Sequence, residues 1–213
     1  MTVPVRVHHL ENSRSQRILW LLEELALDYE VVRYARDPRT KLAPPELRAV
    51  HPLGKSPVIE HDKLVVAETG AIIVYLLDNF GDGQFRPEKG TQAYVDYVHF
   101  LHFAEGSAML PLLLKLYTGF LGDAADPLQP MITDEIRKVL DYCEYTLIRS
   151  DWFAGDQLTG ADFAMIFPLE AARARGMLKQ YEACSEYVDK VWARPAYRRG
   201  LERGGQYDYG PKG

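Results

Sequence analysis

The chain has 213 residues, of which 47% are hydrophobic and 26% are charged. This composition is typical of a globular protein and excludes a disordered or collagen-like chain. At about 100–200 residues per domain, the length predicts one large domain or two small ones. The formal net charge of −5 argues against binding to duplex DNA or to an anionic membrane surface. We therefore expect neither a nucleic-acid nor a membrane partner.

Cysteine usage and the N-terminal residues indicate the cellular compartment. The two cysteines, Cys143 and Cys184, cannot form a disulfide framework, and no CxxC motif is present. This usage is typical of a reducing environment, so we expect a cytoplasmic protein. Residues 1–10 lack the apolar core of a signal peptide, and no apolar run approaches the length of a membrane span.

The first eighty residues alternate between strand and helix patterns. A strand over Val3–His8 precedes a helix whose apolar residues start at Ile18 and recur at i, i+3, i+4 and i+7. Tyr29–Tyr34 predicts a second strand, and two strands joined through a helix are usually parallel. A short helix at Pro45–Val50 follows, and residues 58–66 then resemble a hairpin before a further helix. The predicted order is β-α-β, α, β-β-α.

Residues 81–90 contain three glycines and one proline, which marks them as a linker. Beyond them the apolar spacing is helical throughout. The predicted helical segments start near residue 91, Ile132, Phe163, Val188 and Pro195. We therefore predict an α/β domain over 1–80, a linker over 81–90 and an all-helical domain over 91–213.

The turn Glu11–Ser15 joins the first predicted strand to a helix N-terminus. Backbone N–H groups there are unpaired and the helix dipole favours an anion. Ser13 and Ser15 add hydroxyl donors. Residue spacing alone supports two interpretations, a helix cap or a site that steadies a thiolate or another small anion.

Two further segments place polar residues at the start of a strand and of a helix. Ser56 precedes Pro57, and because only about 5–6% of X–Pro bonds are cis, frequency alone favours trans. Glu68 and Thr69 precede a helix for which Thr69 is a natural N-cap. The alternative is that Glu68 accepts a hydrogen bond from a ligand ammonium while Thr69 holds a carboxylate.

The remaining motifs favour structural roles. Thr159 and Asp162 form a Thr-x-x-Asp capping box, which predicts a helix start and little more. His99, His102 and Glu105 can share a helix face, but no second cluster supplies further metal ligands, so we interpret them as polar lining and expect no metal. The motifs GxxxxGK[ST], GxGxxG and GxSxG are absent from the sequence.

Four segments in this order resemble the cytosolic glutathione transferases over nearly the whole chain. The segments are Gly54–Pro57, Glu68–Ile72, Thr159–Asp162 and Arg194–Tyr197. Residues 12–20 are similar to the bacterial and fungal branch with a serine-bearing first turn. The resemblance implies a thioredoxin-like N-terminal domain (βαβ-α-ββα) that binds glutathione, and an all-helical C-terminal domain that carries a second-substrate site.

The resemblance also implies roles for individual residues. Ser13 is the catalytic candidate, with Asn12 and Ser15 as alternatives because alignment within the turn can slip. Pro57 should be cis, so that the Ser56 backbone pairs with the cysteinyl backbone of glutathione. The set of glutathione-binding candidates is Arg14, Lys41, Lys55, Ser56, Pro57, Glu68 and Thr69.

Within this set, Glu68 and Thr69 match the pair that holds the γ-glutamyl end. Lys55 matches a residue that reaches the glycyl carboxylate, and Lys41 is the weaker candidate for that carboxylate. A hydrogen bond from Ser13 to a thiolate, worth about 1.5–3 kcal/mol, would lower the usual thiol pKa of about 8.5 by about one to two units. Glutathione is then the co-substrate that brings the reactive sulfur.

The expected reaction is addition of glutathione to an apolar electrophile, as in detoxification. Peroxide reduction, dehalogenation or isomerisation on the same scaffold are alternatives, as is a transferase-like binding protein without turnover. A two-fold homodimer is expected from the resemblance. The candidate lining of the second-substrate pocket is His99, His102, Phe103, Glu105, Leu112 and Tyr117.

Overall fold

The computed structural model describes residues 4–212, and the chain divides into two compact units. One unit contains the chain up to Gln84 together with the stretch from Val191 onward, and the other is Phe85–Lys190. The last helix therefore packs with the first unit, although in sequence it follows the helical segments. The compact units therefore differ from the predicted segments 1–80 and 91–213 in where this helix belongs.

The first unit is built on a four-stranded mixed sheet in the order β2-β1-β3-β4. Its strands are β1 (Val5–Leu10), β2 (Tyr29–Tyr34), β3 (Val58–His61) and β4 (Leu64–Ala67). Its helices are α1 (Gln16–Glu24), α2 (Leu47–Val50), α3 (Thr69–Phe80) and the last helix of the chain, α9 (Pro195–Gly204). β1 pairs in parallel with β2, and β3 pairs antiparallel with both β1 and β4. This topology confirms the predicted thioredoxin-like order and its hairpin.

Three element boundaries differ from the sequence predictions. β1 continues two residues beyond the predicted end at His8, because His9 and Leu10 also pair with β2, while Val3 lies outside the described residues. α2 begins at Leu47, since the carbonyls of the preceding prolines accept turn hydrogen bonds. α3 begins at Thr69 with Glu68 as its N-cap, so the prediction of Thr69 as the cap was wrong.

The contact between α1 and α9 is unusually close. A Cβ added to Gly200 would lie 3.1 Å from the backbone nitrogen of Trp20, a separation that real side chains rarely show. Arg194, just before α9, donates from Nη2 to Oε2 of Glu24 at 2.9 Å, and Trp20 Nε1 donates to Oε1 of the same carboxylate at 2.8 Å. Shape and charge together therefore hold α9 against α1.

The second unit is helical. Its elements are α4 (Gln92–Phe103), a π-helical turn (Ala104–Ala108), α5 (Met109–Thr118), a 3₁₀ segment (Gly119–Leu128), α6 (Gln129–Leu147), α7 (Gly160–Ala174) and most of α8 (Glu182–Trp192). The helical segment predicted to start near residue 91 thus consists of two helices joined by the π-helical turn. α7 is buried at every residue from Gly160 to Ala172 and packs against α4 and α5. No helix within the described residues is long and apolar enough to cross a membrane.

Phe85, in the middle of the predicted linker, packs against the helical unit. Phe85 contacts the ring of Phe163 edge-on, with centroids 5.5 Å apart, and its carbonyl accepts a hydrogen bond from Gly160 at 2.8 Å. Both contacts are made at the start of α7. Residues from Phe85 onward therefore belong to the helical unit.

The capping box at the start of α7 is completely buried. Asp162 accepts hydrogen bonds from the backbone nitrogens of Thr159 at 2.8 Å and Phe153 at 3.0 Å, and Tyr187 contributes its hydroxyl. Burial raises the pKa of the Asp162 carboxyl to about 6, although these donors act in the opposite direction. The hydrogen bonds of Asp162 thus connect the start of α7 to the loop that precedes it and to α8.

We predict that Gly200→Ala lowers the free energy of unfolding by about 1–3 kcal/mol, because the new methyl group meets the α1 backbone. Gly106→Ala is the matched control, since a Cβ there has no atom within 4 Å. It should leave stability unchanged or raise it by up to about 1 kcal/mol. Urea unfolding of both variants measures the difference, and equal stabilities would contradict the close α1–α9 approach.

The buried Asp162 predicts a pH-dependent stability. Because folding raises its pKa from 3.8 to about 6, its contribution is fully present below about pH 4 and is lost as the pH rises through 6. The loss amounts to at most about 3 kcal/mol. In urea unfolding at several pH values, Asp162→Asn should remove this part of the slope. Asp156→Asn, at an exposed aspartate of the same loop, should retain it.

Candidate functional site

The turn between β1 and α1 holds a buried chain of hydrogen bonds. Ser13 Oγ lies 2.8 Å from Ser15 Oγ, which in turn lies 2.8 Å from Nδ1 of His9. The backbone nitrogen of Ser15 also donates to Ser13 Oγ at 3.3 Å. All three side chains are buried. Both serines of the predicted site are thus brought together at the N-terminus of α1, and His9 joins them from the end of β1.

His9, which follows the first predicted strand directly, was not identified from the sequence as a candidate site residue. Burial lowers its pKa to about 4, helped by the charge of Arg33 and opposed by the Gly204 backbone. The imidazole is therefore neutral at physiological pH. The signal available in the sequence was a second histidine, next to His8, where the first predicted strand ends.

Asn12, the third catalytic candidate in the turn, is held by the C-terminal tail. It has a positive φ of 50°, and its side-chain nitrogen donates to Oδ2 of Asp208 at 2.8 Å. Its side-chain oxygen accepts from the Asp208 backbone nitrogen at 2.7 Å. Arg36 donates to the Asn12 carbonyl from the other side of the chain at 3.1 Å. Both amide atoms of Asn12 are thus engaged within the protein.

Ser56, in the segment before β3, forms hydrogen bonds with the end of β1. The Ser56–Pro57 peptide bond is cis, as the family resemblance implied and as frequency alone did not. Ser56 Oγ donates to the His8 carbonyl at 2.8 Å and accepts from the Leu10 backbone nitrogen at 3.2 Å. The side chain of Ser56 therefore stabilises the sheet, and the backbone of Ser56 is the part that can face a ligand.

The start of α3 is linked to α1 through Arg17. Thr69 is buried, and its hydroxyl oxygen accepts a hydrogen bond from Arg17 Nη2 at 3.2 Å. Glu68 is exposed and has a positive φ of 71°. Arg17 is itself almost wholly buried, and its role was not apparent in the sequence, where it resembles any cation near a helix start. The first turns of α1 and α3 thus form one polar cluster that favours a bound anion.

The candidate cations near this cluster lie at or close to the surface. Lys55 and Lys41 are exposed, and Arg14 is half-buried. Lys41 has a positive φ of 59° in the loop after β2, where its carbonyl accepts from Arg36 at 2.9 Å. These positions leave both lysine side chains accessible to a carboxylate from solution.

The candidates in the helical unit are spread over three elements. His99 on α4 lies 3.2 Å from the hydroxyl of Tyr142 and is stacked on Phe103, with centroids 5.5 Å apart. His102 on α4 and Tyr117 on α5 are exposed, and Glu105 is half-buried in the π-helical turn. Leu112 is core rather than lining, with 4% exposure. No group of histidine, cysteine and acidic residues that could hold a metal occurs within residues 4–212.

Comparison with known proteins covers both units. Residues 5–78 match the family profile described as "Glutathione S-transferase, N-terminal domain", and residues 111–198 match "Glutathione S-transferase, C-terminal domain". The chain is 30% identical to Glutathione S-transferase 1 of Saccharomyces cerevisiae, with 95% of this chain and 97% of that protein covered. It is 34% identical to Glutathione S-transferase 3 of Schizosaccharomyces pombe, with 92% and 86% covered.

Solved structures show the same similarity. A glutathione S-transferase from Actinobacillus pleuropneumoniae is 37% identical and superposes with a TM-score of 0.86, over 96% of this chain and 95% of that one. A glutathione transferase homologue from Lodderomyces elongisporus, solved with two GSH per subunit, shares the fold at 23% identity. Its TM-score is 0.78, over 93% of this chain and 98% of that one.

The contacts of Asn12 predict that Asp208→Ala loosens the turn before α1. Amide hydrogen exchange of residues 11–15 should become faster, because the variant loses the carboxylate that accepts from the Asn12 side chain and keeps only the bond from the residue-208 backbone nitrogen. Lys212→Ala, at an exposed residue further along the tail, is the control and should leave the exchange unchanged. Unchanged exchange in Asp208→Ala would show that the tail does not restrain the turn.

Proposed function

Because the chain belongs to the glutathione S-transferase family and is a glutathione transferase, we propose that its first unit activates the thiol of glutathione at the turn before α1. The thiolate sulfur attacks an apolar electrophile and a carbon–sulfur bond forms. The displaced electron pair departs with a leaving group or, at an enone, moves onto the acceptor, which then takes up a proton. Glutathione acts as co-substrate, and a role in detoxification follows from this chemistry.

The observation that carries the proposal is the placement of Ser13. It lies at the buried N-terminus of α1, and its hydroxyl is held by Ser15. Asn12 has both amide atoms bonded to Asp208, and Ser15 lies wholly buried between Ser13 and His9. Of the three catalytic candidates, Ser13 therefore has the side chain that is best able to reach a ligand sulfur.

The N-terminus of α1 and the Ser13 hydroxyl both lower the pKa of the thiol. An anion at the first turn of a helix is favoured by unpaired N–H groups and by the helix dipole. A hydrogen bond to the charged sulfur, worth about 1.5–3 kcal/mol, lowers the thiol pKa by about one to two units from about 8.5. The protein itself needs no nucleophilic cysteine, and burial raises the pKa of Cys143 and of Cys184.

The remaining contacts with glutathione follow from the same cluster. We propose that the backbone of Ser56 before cis-Pro57 pairs with the cysteinyl residue, and that Glu68 and Thr69 hold the γ-glutamyl end. Arg17 supports this by fixing the Thr69 hydroxyl. Lys55, with Lys41 as the weaker candidate, meets the glycyl carboxylate, and Arg14 adds positive charge at the turn.

The helical unit is proposed to supply the second-substrate site. His99, His102, Phe103, Glu105 and Tyr117 are the lining candidates, and the aromatic surface of His99, Phe103 and Tyr142 supports an apolar substrate. This assignment keeps the functional division into residues 1–80, a linker at 81–90 and residues 91–213.

Assembly and location are proposed on separate grounds. A two-fold homodimer is supported by the exposed apolar residues Leu64 and Val65 on the edge strand β4. A cytoplasmic location is supported by Cys143 and Cys184, which are both free and buried.

The proposal predicts that the protein is retained on immobilised glutathione and that Ser13→Ala raises the pKa of the bound thiol by about one to two units. The pKa is measured by titrating the ultraviolet absorbance of the thiolate in the complex. Ser13→Thr, which keeps a hydroxyl, should restore most of the effect. An unchanged pKa in Ser13→Ala would transfer the role to Asn12, Arg14 or Ser15.

The reaction itself is tested by supplying the protein with glutathione and a panel of aryl halides, enones and peroxides. Conjugation of the apolar electrophiles supports the proposed chemistry. Turnover of peroxides alone would replace it with glutathione-dependent reduction on the same scaffold.

A further inference from the structure

Arg36, just beyond the end of β2, binds backbone carbonyls with all three nitrogens of its guanidinium group. Nε donates to the carbonyl of Glu11 at 3.0 Å, Nη2 to that of Asn12 at 3.1 Å and Nη1 to that of Lys41 at 2.9 Å. The backbone nitrogen of Arg36 also donates to Oε1 of Glu11 at 2.9 Å. A guanidinium group only donates and a peptide carbonyl only accepts, so the groups themselves determine the direction of each bond. One side chain therefore joins the turn before α1 to the loop after β2.

Two of the three carbonyls belong to residues with a left-handed backbone. Asn12 has a φ of 50° and Lys41 has a φ of 59°, and neither residue is a glycine. This conformation costs free energy, more for a lysine than for an asparagine, and it persists where the surrounding contacts hold it. The guanidinium group of Arg36 supplies such a contact to both residues.

The loop after β2 is also shaped by hydrogen bonds of its own. The Asp37 carboxylate accepts from the backbone nitrogens of Arg39 at 2.9 Å and Thr40 at 2.7 Å. The Lys41 backbone nitrogen donates to the Asp37 carbonyl at 2.9 Å. These bonds determine the shape of the loop, whereas the guanidinium group of Arg36 determines where the loop lies relative to the turn.

The two joined segments carry candidate partners for two different parts of glutathione. Ser13, directly after Asn12, is the proposed partner of the cysteinyl sulfur, and Lys41 is a candidate for the glycyl carboxylate. We propose that Arg36 is a positioning residue that holds these two groups at the separation that one glutathione molecule requires. It acts through the backbone, because each guanidinium nitrogen already donates to a carbonyl. The inference rests on the proposed function of the first unit.

Charge and geometry can be separated at this position, because lysine keeps the charge and loses the geometry. The three carbonyls accept from three nitrogens held in one plane, whereas a lysine ammonium carries all its donors on one nitrogen. Arg36→Lys therefore keeps a cation near the anionic ligand but cannot bridge the turn and the loop in the same way. Arg39→Gln is the matched control, since it removes a cation from the same loop. The exposed Arg39 side chain donates no hydrogen bond to any of the described residues 4–212.

The glycyl end is tested by comparing glutathione with its glycyl amide, which has the same thiol but lacks the glycyl carboxylate. Calorimetry gives the ratio of the two dissociation constants, and the unmodified protein should prefer glutathione. In Arg36→Lys this preference should fall by roughly three- to tenfold, the effect of losing one hydrogen-bonded contact. In Arg39→Gln it should change by less than about twofold, since an exposed charge is screened.

The sulfur end is tested by the ultraviolet titration of bound glutathione. Arg36→Lys should raise the thiol pKa by roughly half a unit, because the turn that carries Ser13 is held less firmly. Arg39→Gln should leave the thiol pKa unchanged. A purely structural role of Arg36 would lower the free energy of unfolding but would move neither the thiol pKa nor the preference for the carboxylate.

A double variant tests whether Arg36 acts through Lys41. Lys41→Met removes the ammonium group and keeps most of the stem, so it should lower the same preference for the carboxylate. Arg36→Lys/Lys41→Met should then match Lys41→Met, since a displaced and an absent ammonium group both leave the carboxylate without this partner. An unchanged preference in Lys41→Met would assign the carboxylate to Lys55 and overturn the inference, as would an unchanged preference in folded Arg36→Lys.

Hydrogen exchange of the unmodified protein decides the question if circular dichroism shows that Arg36→Lys is not folded. Added glutathione should slow the amide exchange of residues 11–15 and of residues 37–42 together. Protection of residues 11–15 alone would overturn the inference and leave the proposed function intact. Failure of the proposed function has a different signature, since glutathione would then protect neither segment and Ser13→Ala would leave the thiol pKa unchanged.

Discussion

The proposed glutathione site depends on the burial of polar side chains at the end of β1. A buried polar group without a partner is costly, so hydroxyl, imidazole and guanidinium groups placed there must bond to one another. His9 bonds to Ser15, Ser56 bonds to the backbone of His8 and Leu10, and Arg17 bonds to Thr69. These bonds join the starts of α1, β3 and α3 into one rigid cluster.

The C-terminal segment completes this cluster from a distance in sequence. α9 lies against α1 through Gly200 and the pair of Arg194 with Glu24. The tail beyond α9 then holds Asn12 through Asp208. The C-terminal segment thus contacts both α1 and the turn that precedes it.

The helical unit is organised by a different buried polar group. Asp162 joins the loop at Phe153, the cap at Thr159 and the hydroxyl of Tyr187, so the start of α7 is determined by one carboxylate. Packing around α7 forms the core of this unit, in which Cys143 and Cys184 are both buried and free. In both units, a buried hydrogen-bond network thus lies at the start of a helix, at α1 in the first unit and at α7 in the second.

The sequence by itself determined the order of the elements, the parallel start of the sheet and the capping box. These features follow from local spacing, such as the helical repeat from Ile18 and the Thr-x-x-Asp motif. Resemblance, rather than spacing, supplied the family and the cis bond before Pro57. Local pattern could not separate Ser13 from Asn12 and Ser15, since all three lie in the same five-residue turn.

Only the tertiary structure shows contacts that distinguish these three residues, because two of the contacts come from residues outside the turn. Asp208 engages Asn12, and Ser15 lies buried against His9, which supports the proposed role of Ser13. Hydrogen bonds are short-range and directional, so which partner a side chain finds is decided only when the folded chain brings distant segments together.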